Sequence, residues 1–147
     1  MTKTLFAAAL LAVAAHAAHA QATPVGLWKT IDDETKAEKS FVRISDNAGI
    51  LSARIEKLLD PSKQDAKCEK CSDERKDKPV LGMSIVRNVK QNADDQGLWD
   101  GGEILDPNNG KTYKVRLRPV SGGKALEVRG YIGAPMFGRT QTWQRIE

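Results

Sequence analysis

The two cysteines of the chain, Cys68 and Cys71, are separated by two residues in the run Cys68-Glu69-Lys70-Cys71. Such a pair can form a disulfide, exchange electrons, attach haem or contribute to a metal site. Thioredoxin-like chemistry places the pair at the start of a helix beside a βαβ unit, and the sequence shows no such unit. Haem attachment needs a histidine after the second cysteine, where Ser72 stands. A structural zinc ion needs four ligands, more than this pair supplies.

The only two histidines, His16 and His19, lie within a predicted secretory signal peptide, residues 1–20. Lys3 supplies the positive start, residues 5–15 form an apolar core, and Ala18-His19-Ala20 is a small-x-small cleavage site. The apolar core is too short for a membrane anchor, which needs about 20 residues. Cleavage therefore leaves a chain without histidine, which excludes Ser-His-Asp and Cys-His catalysis and histidine-ligated zinc or haem.

Export decides how the cysteine pair is interpreted, because an even number of cysteines outside the cytoplasm usually means a disulfide. We expect a periplasmic or secreted protein in which Cys68 and Cys71 form a structural bridge. A redox-active pair, and a site for a metal or a partner, are the alternatives. Removing 20 of the 147 residues leaves 127, the length of one domain, residues 21–147.

The charge of the chain is mild and mixed in sign. Its formal net charge of +4 falls to +3 once Lys3 is removed, and basic residues alternate with acidic ones. A nucleic-acid groove would show a basic stripe with stacking aromatic residues, so we expect no nucleic-acid partner. No segment after the signal peptide is long and apolar enough to predict a transmembrane anchor.

Paired carboxylates are the remaining candidates for acid–base chemistry. Asp32-Asp33-Glu34 and Asp94-Asp95 lie in turn-like sequence, where a solvated charge is the usual state. Asp100 and Glu103 flank two glycines and are better placed to face a barrel interior. Two carboxylates can hydrolyse a glycosidic bond, but nothing in the sequence sets their separation. Asp106 is expected to form an Asx turn with the residues that follow it.

These residues must be positioned by β-strands, because no helical apolar stripe of useful length follows residue 21. Eight short runs rich in β-forming residues are separated by Gly, Asn, Asp and Pro. The runs cover residues 27–31, 40–45, 51–58, 82–89, 97–105, 111–119, 124–131 and 139–146. Mostly hairpin-length separators predict an all-β fold, a single eight-stranded antiparallel up-and-down barrel. The exception, residues 59–80, is expected to be a solvated loop with one helical turn, over or beside a barrel mouth.

Two strand details can be predicted from the side-chain alternation. In the sixth and seventh runs, a loop at residues 120–123 would pair Leu117 with Leu126, Val115 with Val128 and Arg116 with Glu127. In the fifth run, Trp99 and Ile104 have opposite parity. A bulge at Gly101-Gly102 would bring both to one face.

Trp28 in the first strand and Arg145 in the last would be neighbours in a closed barrel, with Trp143 close by. An Arg over a Trp ring forms a cation–π plug at the barrel floor. This arrangement resembles the lipocalin and wider calycin signature. The segments Trp99 to Tyr113, Leu126 to Gly133 and Phe137 to Trp143 also resemble the bacterial domain of unknown function 2147 family. That resemblance implies a lipocalin-like barrel and an exported protein, without a settled activity.

The leading functional hypothesis is an exported, non-enzymatic module that binds a small apolar or amphipathic ligand inside the barrel, without a metal or cofactor. The candidate ligand-binding residues are Trp99, Tyr113, Arg129 and Tyr131, although the expected register turns Arg129 away from the interior unless it lies at the rim. A cavity above about 300 Å³ lined by Trp99 and Tyr113 would favour this hypothesis. A filled barrel with an exposed cysteine loop would favour an envelope-protein interaction domain, acting through its surface or that loop. Buried carboxylates with raised pKa values would favour a hydrolase.

Overall fold

The chain folds into a closed barrel of eight antiparallel strands in sequence order, as the strand pattern predicts. The computed structural model describes residues 22–147, so the predicted signal peptide lies outside the described part of the chain. The strands are β1 (Gly26–Ile31), β2 (Glu38–Asn47), β3 (Ile50–Leu58), β4 (Ser84–Gln91), β5 (Trp99–Asp106), β6 (Lys111–Val120), β7 (Ala125–Tyr131) and β8 (Gly138–Arg145). Within that described part, no helix is long and apolar enough to cross a membrane.

The barrel interior is filled by side chains that alternate along each strand. In β2, Val42 and Ile44 are fully buried, while Arg43 between them stays partly exposed. The same period of two runs through every strand, because successive side chains of a strand point to opposite faces. The buried side chains from all the strands form one apolar cluster. The interior of this barrel is therefore a packed core.

A bulge in β5 occurs where the sequence predicts it. The register shifts between Trp99 and Gly102, so Trp99 pairs with Leu117 and Ile104 pairs with Tyr113, on one face. Gly102 is required because a Cβ atom there would overlap the backbone of β4. The bulge also corrects one expectation: Asp100 and Glu103 alternate with inward-facing residues and lie on the outer wall, not in the interior.

The predicted register of β6 and β7 is wrong by two residues. Leu117 pairs with Val128, and Glu127 lies opposite Arg118 rather than Arg116. The turn at 121–124 has three consecutive residues with positive φ, which lets Val120 and Ala125 pair and lengthens both strands. The inward and outward faces are unchanged, because a shift of two residues preserves the alternation. Arg116 is left opposite Arg129 on the outer wall.

The long connection, residues 59–83, packs against the outer wall of β4 and β5 rather than lying free in solvent. Its single helical turn, Pro61–Lys63, agrees with the prediction. Arg75 donates to the backbone of Ser84 at 2.9 Å, and Arg87 of β4 pairs with Glu74. Covering this wall explains why Ile85 and Val86, which point to opposite faces, are both buried.

The connections divide the barrel into two ends. We call the plug end the one that carries connections 48–49, 92–98 and 121–124, together with the N-terminal segment 22–25. We call the loop end the one that carries connections 32–37, 59–83, 107–110 and 132–137.

Candidate functional site

The plug end is closed by Arg145 and Trp28, which pair directly between β8 and β1. The Arg145 guanidinium lies 4.1 Å from the centre of the Trp28 ring, within the range of a cation–π interaction. The Trp28 indole donates to the carbonyl of Pro24 at 2.7 Å, which draws the N-terminal segment across the barrel floor. Trp143, on the next inward position of β8, is buried and donates to Gln141.

Arg145 also ties its own strand to two other backbone segments. It donates to the carbonyl oxygens of Gly123 at 2.6 Å, Val25 at 2.8 Å and Thr23 at 2.6 Å. Burial lowers the pKa of Arg145 from its ordinary value, although the group remains charged at neutral pH. The three carbonyls therefore solvate a charge that the barrel floor has taken out of water.

Beside this plug, a cleft of about 290 Å³ opens at the edge of Trp99. The N-terminal segment, the β2–β3 turn, the end of β4 and the start of β5 form its walls. We call it the Trp99 cleft; its lining residues are Ala22, Thr23, Asp46, Gly49, Gln91 and Trp99. Trp99 keeps 7% of its surface exposed, so the cleft meets the edge of a ring held by the core.

The polar groups of the Trp99 cleft are mainly hydrogen-bond acceptors. One carboxylate oxygen of Asp46 accepts from the amide of Gly49 at 2.7 Å, which leaves the other oxygen available. The Gln91 side-chain nitrogen donates to Gln96 at 2.8 Å, which leaves its amide oxygen available. The cleft thus offers an aromatic edge, one negative charge and oxygen acceptors. This arrangement suits a small molecule with a ring or apolar face and N–H or O–H groups.

The other predicted ligand-binding residues lie elsewhere. Tyr113 lines a separate outer groove of about 260 Å³ at the β5 bulge, and its hydroxyl accepts from Asn109 at 2.9 Å. Arg129 and Tyr131 alternate with the inward-facing Val128 and Gly130 and lie on the outer wall of β7. Trp99 and Tyr113 therefore do not share an internal cavity, and the ligand site inside the barrel that the sequence suggested is replaced by surface clefts.

The predicted disulfide between Cys68 and Cys71 is confirmed. Both cysteines are buried, which corrects the expectation of a solvated cysteine loop. The Cys68 sulfur lies 3.6 Å from the carbonyl of Pro107, in the turn between β5 and β6. In that turn Asp106 forms the predicted Asx turn by accepting from the amide of Asn108 at 2.9 Å. The bridge therefore joins the long connection to the β5–β6 turn and faces the protein interior.

The candidate carboxylates are bound in turns and ion pairs. Hydrogen bonds from Thr35 hold the pKa of Asp32 below its ordinary value, and the Arg118 guanidinium does the same for Asp95. Asp33 accepts two bonds from Arg139, at 2.8 and 2.9 Å. Every shift resolved for a carboxylate in residues 22–147 is downward, whereas a general acid needs a raised pKa. No group of three metal-ligating side chains occurs among those residues.

Sequence reasoning missed two features of the surface. The first is the rest of the Trp99 cleft, because Asp46 and Gln91 reach Trp99 only when β2, β3, β4 and β5 close side by side. The second is a group of exposed apolar residues in the β7–β8 connection, Ile132, Met136 and Phe137. The apolar letters between Tyr131 and Gly138 were a signal for that group, since hairpin connections are usually polar.

Comparisons with known proteins agree with this architecture. A family model described as "Uncharacterized protein conserved in bacteria (DUF2147)" matches residues 26–145. Among solved structures, "Protein HP1028 from the human pathogen Helicobacter pylori belongs to the lipocalin family" superposes with a TM-score of 0.73 at 23% identity, covering 86% of this chain and 84% of that one. No curated protein matches the sequence. The strand order, the plug and the family match together show that this chain belongs to the DUF2147 family, with a lipocalin-like barrel.

Proposed function

We propose that this protein is an exported, non-enzymatic binding module that holds a small, partly apolar ligand in the Trp99 cleft. The observation that carries the proposal is the cleft itself, where an indole edge held by the core meets the free acceptor groups of Asp46 and Gln91. Ligand sites in proteins combine an apolar surface with a few placed polar groups in this way. The lipocalin-like fold supports a binding role, and the predicted signal peptide supports a location in the periplasm or outside the cell.

The cleft also limits the ligand. Its volume of about 290 Å³ lies at the lower end of the usual range for small-molecule sites, so a long lipid does not fit. The charge of Asp46 disfavours a carboxylate or phosphate and favours an amine or a hydroxyl donor. We therefore expect a compact ligand that carries a ring and hydrogen-bond donors.

Native mass spectrometry of the protein purified from the cells that export it tests this proposal. We expect the wild-type protein to retain a small molecule. Two substitutions, Asp46→Asn and Gln91→Leu, should release it, because they remove the charge and one acceptor. The amide oxygen introduced by Asp46→Asn can still accept from the Gly49 amide, so the β2–β3 turn is preserved.

Glu103→Gln provides a matched control, because Glu103 lies in the separate groove beside Tyr113. This variant should retain the molecule at the wild-type level. The proposal fails if the wild-type protein has only its apo mass and binds nothing in a screen of ring-bearing amines and polyols. It also fails if the Glu103 variant loses the ligand as readily as the Asp46 variant does.

A further inference from the structure

The β7–β8 connection at the loop end presents large apolar side chains to solvent. Ile132, Met136 and Phe137 keep 64%, 75% and 70% of their surfaces exposed. We call these three residues the apolar tip. They are grouped on one short connection, and an exposed apolar group of this kind marks an interaction surface rather than a scattered surface residue.

The apolar tip is held in one shape by hydrogen bonds at its base. The Phe137 amide donates to Ala134 at 3.0 Å, and the Arg129 side chain donates to Pro135 at 2.6 Å. A second bond, from Arg129 to the Thr140 hydroxyl at 2.8 Å, fixes the same guanidinium to β8. The tip therefore offers its side chains without a large loss of conformational entropy on binding.

Below the tip, two arginines face each other on the outer wall. Arg116 of β6 and Arg129 of β7 are direct cross-strand neighbours, an arrangement that repels unless an anion lies between them. In the described chain no carboxylate lies within 4.0 Å of either guanidinium. The Nε of Arg116 is also buried without a partner among those residues.

The neighbouring charges leave this pair uncompensated. Glu127 lies opposite Arg118, and Glu103 lies opposite Lys114. Arg139 beside the tip is occupied by Asp33 and Glu34. The positive charge of the Arg116–Arg129 pair is therefore available to a partner with negative groups.

We propose that the apolar tip inserts into an anionic lipid surface while Arg116 and Arg129 contact its headgroups. Arg129 precedes Ile132 by three residues, or about 10 Å along an extended chain. Apolar groups at a membrane interface enter about 5–10 Å, which places the arginine pair at headgroup level. Three side chains are too few for a stable protein interface, which buries about 800 Å² on each partner. The positive net charge of the chain also favours an anionic surface.

Vesicle flotation of the exported chain tests the proposal. We expect binding to vesicles of phosphatidylcholine mixed with phosphatidylglycerol, and much weaker binding to phosphatidylcholine alone. The double substitution Met136→Ser with Phe137→Ser should weaken binding about tenfold or more, because it removes most of the inserted apolar surface. Arg116→Gln should weaken binding to the anionic vesicles and reduce its dependence on salt.

The matched controls lie at the plug end, where Ile146→Ser removes an exposed apolar side chain and Lys124→Gln removes an exposed charge. Both should bind as the wild type does. A Phe137→Trp variant should show a blue-shifted emission on binding, relative to the wild type, that reports insertion. Absence of binding to anionic vesicles, equal loss in the tip and plug-end variants, or dimerisation through the tip in sedimentation would each overturn the proposal.

Discussion

Arg145 carries more of the structure than any other charged residue of the barrel floor. It covers the buried Trp28 ring and satisfies three carbonyls from two separate segments of the chain. The sequence suggested the contact between Arg145 and Trp28 from the neighbourhood of the first and last strands. It did not suggest the carbonyl contacts, because nothing in the residue types shows where the segment 22–25 crosses the floor.

Replacement of Arg145 by Met should lower the free energy of unfolding by about 3 kcal/mol, because three charged hydrogen bonds and a cation–π contact are lost together. Urea denaturation measures the change. Arg118→Met is the control, since Arg118 forms an exposed pair with Asp95 and should cost less than about 1 kcal/mol. Equal costs for the two variants would contradict the role of Arg145.

Asp73 makes the anchoring of the long connection sensitive to acid. Its carboxylate accepts from the side chain of Arg75, which is 5% exposed, and this contact lowers the pKa of Asp73 to about 2. A carboxyl whose pKa is lowered by folding stabilises the protein above its unfolded pKa of about 3.9, and the effect disappears as the pH falls toward the folded value.

We expect Asp73→Asn to lower the free energy of unfolding by about 1 kcal/mol at neutral pH, a value reduced by solvent screening. The difference between wild type and variant should shrink between about pH 4 and pH 2 and vanish below that range. Chemical denaturation across this range measures it. A difference that is constant down to pH 2 would show that the charge of Asp73 is not responsible.

Among the elements, strand number and strand order could be predicted because each strand carries its own alternation and turn residues. The β5 bulge could be predicted too, since Trp99 and Ile104 must both reach the core. The β6–β7 register could not. A slip of two residues keeps every side chain on its face, and Glu127 meets an arginine at either position 116 or 118.

The long connection was misjudged for a different reason. Its composition is polar, yet the few apolar residues it contains, together with Arg75, are the ones that pack on the barrel. Composition reports the average of a segment and cannot identify a minority of buried positions. Contact between this segment and the β5–β6 turn depends on close backbone approach at Gly110.

Gly110→Ala should therefore displace the disulfide segment. Gly110 has φ +72°, and a Cβ atom there would overlap the backbone of Lys70 and Cys71. We expect a loss of roughly 3 kcal/mol or more, the sum of the conformational cost and the steric overlap. Amide hydrogen exchange should also show lost protection at Cys68 and Val80, whose amides bond within the connection.

Gly122→Ala separates these two causes. Gly122 has φ +65° but no neighbouring atom within 4 Å of the added Cβ, so only the conformational cost of about 1 kcal/mol is expected. Protection at Cys68 and Val80 should remain as in the wild type. Equal destabilisation in the two variants, with protection retained in both, would show that the connection does not depend on Gly110.

In the whole molecule, the two proposed surfaces lie at opposite ends of the barrel. The Trp99 cleft is at the plug end, and the apolar tip is at the loop end. Attachment of the tip to a lipid surface would therefore leave the cleft facing the solvent, free to exchange its ligand. Between them the packed core provides rigidity rather than a passage.

Only part of this site could be predicted from the sequence. Trp99 was identified because an aromatic residue beside a bulge must be placed by the barrel. Asp46, Gln91 and Thr23 were not, since they come from three distant parts of the chain that meet only on closure. Tyr113, Arg129 and Tyr131 were grouped with Trp99 on residue type alone, and alternation and barrel end separate them.

The most direct test of ligand binding at the Trp99 cleft is the indole NMR spectrum during titration with ring-bearing amines and polyols. The three tryptophans report three places: Trp28 and Trp143 lie in the packed core, and Trp99 borders the cleft. We expect a binding compound to shift the indole signal of Trp99 and leave those of Trp28 and Trp143 unchanged. Shifts of Trp28 or Trp143 without Trp99, or no shift with any compound, would contradict a ligand site at this cleft.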